Sequence, residues 1–104
     1  MNGSRVILVA ILTVRRSHLD EFRAFERLAA GVMAKYGGAI ERTVVADNPD
    51  DDGTVKEIHI VAFPDAGRLA MYRRDDELAP FLHLRAASVI STEILAGTDG
   101  PDYS

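Results

Sequence analysis

Residues 6–14 form a nine-residue apolar run broken only by Thr13, too short to cross a membrane and too uniform for a strand with one wet face. It reads as a strand buried on both sides. Helices from the same chain can cover one side. The other must be covered by something else, and the simplest cover is a second copy of the chain.

At 104 residues the chain is one domain, 1–104, large enough to bury somewhat more than about 60% of its unfolded surface without staples. Twelve Lys and Arg against sixteen Asp and Glu leave a formal charge of -4, and no basic stripe interleaves with aromatics, so a nucleic-acid partner is not expected. There is no cysteine, which removes disulfides, thiolate nucleophiles and thiolate zinc sites, and fits a cytoplasmic location. Arg5 ahead of the apolar run imitates a signal peptide. Arg15-Arg16-Ser17-His18, however, stands where small residues would mark cleavage.

After this strand, Ser17 is the expected N-cap of a helix beginning near residue 18, with Asp20 and Glu21 in its first turn. Leu19, Phe22, Phe25, Ala29, Val32, Met33 and Tyr36 make one apolar stripe, with Arg23 and Glu26 mostly off it, and Gly37-Gly38 ends the helix after about twenty residues, or roughly 30 Å. Strands at 39–46 and 55–63 form a hairpin around Asp47-Asn48-Pro49-Asp50-Asp51-Asp52-Gly53. Asp65 caps a second helix with Leu69, Tyr72 and Ala66 facing inward; a short helix follows from Glu77 to Arg85, with Pro80 near its first turn. A last strand covers 89–96, so the ordered core is 5–96, with 97–104 a polar tail. Strand, helix, strand, strand, helix, strand is the ferredoxin-like α+β arrangement, βαββαβ, with a four-stranded antiparallel sheet whose first and third strands are central.

Lys35-Tyr36-Gly37-Gly38, the Phe63-Pro64 junction, Tyr72 and the short helix before the last strand make residues 5–96 resemble the dimeric α+β barrel superfamily, in particular a poorly characterised bacterial branch. The resemblance implies a homodimer paired through its sheet faces. Members include cofactor-free monooxygenases acting on aromatic polyketides, haem-dependent enzymes, isomerases, stress-induced proteins and ligand sensors, so the fold constrains function weakly. Unlike the polyphenol-oxidising members, this chain has no Trp and no Trp-Asn-His set.

Glu57 and His59 stand two apart on the third strand, so their side chains share a face about 7 Å apart at the backbone. They are the best candidate acid/base couple; the competing reading is a hydrogen-bonded pair in or beside the dimer interface. Tyr72, His83 and Arg85 can line a cleft between helices and sheet as substrate-binding residues, with Arg85 suited to a carboxylate or phenolate; the plainer reading is surface side chains and a core ring. His18, at the start of a helix, is expected to be solvated.

The stretch 48–59 imitates a calcium loop but opens with Asn48 and places His59 at the twelfth position, where a glutamate belongs, so it reads as a solvated hairpin tip. The three His residues lack metal-ligand spacing. No phosphate loop, dinucleotide glycine motif or nucleophile elbow is present, and no metal or cofactor is expected. Two functions follow. By resemblance, the chain is a cofactor-independent monooxygenase or isomerase acting on a small aromatic substrate, with His59 and Glu57 as acid/base; otherwise it is a non-enzymatic small-ligand-binding or stress-associated protein.

Overall fold

A computed structural model describes residues 4–47 and 52–104. The tip of the hairpin, where the calcium-like stretch begins, lies outside them. The strands are β1 (Val6–Arg15), β2 (Ala39–Ala46), β3 (Thr54–Phe63) and β4 (Val89–Gly97); the helices are α1 (Leu19–Ala34), α2 (Ala66–Arg74) and α3 (Leu82–Ser88). The sheet order is β2-β3-β1-β4, all antiparallel, so β1 and β3 are central as expected. This is the ferredoxin-like α+β fold.

Alternation along the central strands sorts the two faces. Leu8, Leu12 and Val14 of β1 and Val55, Val61 and Phe63 of β3 are buried under the helices. Their alternates Ile7, Val9, Ile11, Ile58 and Ile60 are half-buried on the opposite face, beside Leu95 of β4, which is 56% exposed. The helices of the described residues thus cover β1 on one side only. Two apolar clusters fill the helix side: Leu8, Phe25, Ala29, Met33, Val61 and Phe63 with Leu69, and Leu12, Val14 and Phe22.

α1 buries Phe22, Phe25, Ala29, Val32 and Met33, the expected stripe. Its start differs from expectation. A 3-10 turn over Arg16–His18 precedes it, and the Ser17 hydroxyl lies 3.0 Å from His18 Nδ1 instead of capping the helix. Its end is glycine-terminated: Gly37 has φ 75°, and Gly38 N–H donates to Met33 O at 2.9 Å, the hydrogen bond that closes a helix through a left-handed residue. Gly38 then passes so near Phe63 that a Cβ there would lie 2.3 Å from the ring, while one on Gly37 would lie 2.9 Å from Pro64. The two corner motifs seen in the sequence touch each other.

Asp65 caps α2, its carboxylate accepting from Arg68 N–H at 2.8 Å. Leu69 is buried and Tyr72 half-buried, but Ala66, the first residue after the cap, is exposed on the outer side of the turn. The single short helix expected from Glu77 to Arg85 is instead a 3-10 turn at Ala79–Phe81 followed by α3. Pro80 has no N–H to extend an α-helical ladder, and Phe81 N–H reaches only to Leu78 O. The start of the expected tail is tied down: β4 ends beside the beginning of β1, and Asp99 accepts from Arg5 Nε and Nη2 at 3.0 and 2.9 Å. No helix of the described residues is long and apolar enough to cross a membrane.

Candidate functional site

Glu57 and His59 fall on the helix-facing side of β3, opposite Leu12 and Ala10 of β1. Each is 4% exposed. They therefore turn away from the open sheet face. Two carboxylate oxygens divide the work: Glu57 Oε2 accepts from Arg23 Nε and Nη2 at 3.0 and 2.9 Å, and Oε1 lies 2.9 Å from His59 Nε2. A carboxylate paired with a guanidinium only accepts, so Nε2 carries the proton and donates it to Glu57. Nδ1 is the ring nitrogen turned away from Glu57. It faces Glu26 of α1, whose Oε2 is 3.8 Å away, too far for a direct hydrogen bond. Phe22 stacks on the His59 ring at 6.1 Å between centroids and holds its plane.

Beside this set lies a cavity of about 190 Å³. It exists because β1 presents Ala10 to the helices between Leu8 and Leu12, and the short side chain stops before the space is filled. Phe25, Ala29, Phe63 and Ile94 complete its apolar wall. His59, Glu26, Tyr72, Arg73, Arg85 and Thr92 supply its polar groups. Burial pushes the Glu26 carboxyl above its ordinary range, opposed in part by His59 and Arg85. The Tyr72 hydroxyl is also pushed up, mainly by burial and then by the Glu26 and Asp75 charges. Its ring leans on Phe63, with centroids 5.3 Å apart. Arg85 Nη2 donates to Thr92 Oγ1 at 2.7 Å. A second, wider depression of about 390 Å³ opens between α1 and β2, lined by Arg27, Thr43, Glu57 and others; His59 and Glu26 line both spaces.

Of the residues singled out in the sequence, the fold gathers Glu57, His59, Tyr72 and Arg85. His83 is exposed on α3 and lines neither space. Arg23, Glu26 and Arg73 join the site without having been singled out. For Glu26 a signal was present: it stands four residues after Phe22 and three before Ala29, on the buried stripe rather than off it, and a carboxylate at such a position asks for partners. Among the described residues no group of His, Asp and Glu gathers in a metal-binding arrangement.

Solved structures share this architecture. A protein of unknown function from Rhodopseudomonas palustris superposes with a TM-score of 0.77 at 13% identity, over 97% of this chain and 86% of that one. The likeness is one of fold: a ferredoxin-like α+β domain with a four-stranded antiparallel sheet. SnoaB, a cofactor-independent oxygenase from Streptomyces nogalater, matches with a TM-score of 0.65 at 17% identity, over 97% of this chain and 98% of its own. A Nitrosomonas europaea protein provisionally named an antibiotic biosynthesis monooxygenase matches at 0.69 and 11% identity, over 95% and 93%. Identities this low carry the α+β barrel fold and nothing of the chemistry. No protein-family model matches the sequence, and a search of curated proteins found no match.

Proposed function

We propose that this α+β barrel protein binds a small hydroxylated aromatic molecule in the 190 Å³ cavity and that His59 takes its proton. One observation carries the reading: an imidazole, oriented through one nitrogen by an Arg23-anchored carboxylate, stands with its other nitrogen toward the Glu26 carboxyl on the wall of an apolar cavity. The size suits one ring, since an engineered apolar cavity of about 150 Å³ accepts benzene. Removing the hydroxyl proton leaves an electron-rich ring that can reduce dioxygen directly or shift a double bond. Cofactor-free oxidation and isomerisation therefore begin with the same step, and SnoaB, named as a cofactor-independent oxygenase, shares the fold. Glu57 positions the imidazole, while Tyr72 and Arg85 orient the ring.

Purified protein offered single-ring phenols and hydroquinones, with oxygen uptake and product followed together, tests the reading. The wild type turns over at least one of them, and His59→Ala loses about 10²–10⁴ of the rate. Saturable binding without product would make the chain a ligand-binding protein, and absence of binding would remove the cavity from its function. We further propose that two copies pair through the open sheet face, where Ile7, Val9, Ile11, Ile58 and Ile60 are half-buried by their own chain. Native mass spectrometry at micromolar concentration should show a dimer; a monomer would end that pairing.

A further inference from the structure

We propose, on the reading of the cavity given above, that its aromatic ligand carries a carboxylate across the ring from its hydroxyl, held by Arg73 of α2 and Arg85 of α3. Both residues line the cavity. Some cations of the chain are paired: Arg5 meets Asp99 and Glu41, Arg23 meets Glu57, and Lys35 meets Asp75 and Glu77. Arg73 has no ion pair among the described residues, and Arg85 gives one N–H to the Thr92 hydroxyl and none to a carboxylate. In a protein of net charge -4, two arginines against the one carboxyl of Glu26 on the wall of one small apolar space are a local reversal of sign. Glu26 is the carboxyl on the same wall, and burial works against its charge.

The layout of the sheet separates the two ends of the ligand. His59 of β3 and Ile94 of β4 flank Ala10 in register, on strands about 10 Å apart, two inter-strand spacings, and Thr92, which anchors Arg85 of α3, stands two residues from Ile94 on the same strand. Once side chains fill part of that span, a benzene ring with substituents at opposite ends bridges it. The hydroxyl then meets His59 and the acid meets the arginines. A planar guanidinium fork matches a carboxylate geometrically, and its attraction strengthens where apolar walls exclude water. The remainder of the ring rests on Phe25, Ala29 and Phe63.

Calorimetric titration of the full chain at pH 7 and low salt, with 4-hydroxybenzoate against its neutral isostere 4-hydroxybenzamide, tests this. The acid should bind at least ten-fold more tightly. In Arg73→Gln and in Arg85→Gln the ratio should fall several-fold, and in the double variant it should approach one, while Arg73→Lys keeps part of it. Arg73 is exposed, so its replacements leave the fold intact and remain readable even if Arg85→Gln does not. Equal affinities for the two probes, or a ratio that survives both substitutions, would overturn the carboxylate while leaving the aromatic cavity standing. Failure of either probe and of phenol to bind would overturn the carboxylate and the cavity reading together.

Discussion

Arg23 places two N–H groups on a single oxygen of Glu57, at 3.0 and 2.9 Å, and so leaves the other oxygen to His59. The helix side chain thereby orients the strand side chain: an anchored carboxylate fixes which imidazole nitrogen donates to it. Glu57 is buried while the guanidinium is 41% exposed, so the pair is a partly covered one rather than a sealed core ion pair.

Arg23→Ala removes two charge-assisted hydrogen bonds from a buried carboxylate that has nowhere else to send them. The expected loss is about 1–3 kcal/mol, lowered toward the bottom of that range by solvent reaching the guanidinium. Thermal denaturation should show it as a fall of a few degrees, since about 1 kcal/mol moves the midpoint of a domain this size by roughly 4–8 °C. A midpoint unchanged by the substitution would mean that water serves Glu57 as well as Arg23 does.

Ala10→Leu places a branched side chain in the gap that makes the cavity. Overpacking should cost about 1–3 kcal/mol, and the fold should persist while phenol and 4-hydroxybenzoate no longer bind. Calorimetry of the variant beside its melting curve checks both halves. Undiminished binding would place the ligand elsewhere, the wider depression beside β2 being the next location to search.

Gly38→Ala drives a Cβ to 2.3 Å from the Phe63 ring, which is 1% exposed and cannot swing away. A loss of about 1–3 kcal/mol or more is expected from the forced repacking. Gly31, inside α1, has nothing within 4 Å of the point an added methyl would occupy, so Gly31→Ala should instead gain roughly 0.5–1 kcal/mol from helix propensity. Urea denaturation of the two variants side by side should give opposite signs.

Lys35, the Tyr36 hydroxyl and the Glu77 backbone N–H hold the Asp75 carboxyl down to about 2. A carboxyl whose folded value lies below its unfolded one stabilises the fold above the unfolded value and loses that contribution as pH falls through the folded one. The stability gap between wild type and Asp75→Asn should therefore narrow as pH drops from about 4 to about 2. Denaturation curves across that window measure it; a gap constant with pH would mean the contacts do not depend on the charge.

Periodicity alone laid out most of this molecule. The alternation and run length of β1 and β3, the stripe from Phe22 to Met33, the Asp65 cap and the Gly37-Gly38 stop are local matters, decided by where each side chain must point once its own segment has a period. The order of those segments then left the ferredoxin-like sheet with β1 and β3 at its centre. Even the pairing of Glu57 with His59 follows from two-residue spacing along a strand.

Tertiary structure decided the rest, because the deciding contacts join segments whose relative placement no local period encodes. Which way Glu57 and His59 face depends on strand register, where a slip of one residue would turn both to the open side. Arg23 reaches Glu57 from 34 residues away, and Arg73 of α2 and Arg85 of α3 share a cavity with His59 of β3 only because the helices pack over the sheet. Asp99 is drawn from the tail to Arg5 because β4 ends where β1 begins. The sequence determined the elements and their apolar faces; packing one layer on another determined which polar groups share a cavity, since burial and charge act through space between residues distant along the chain.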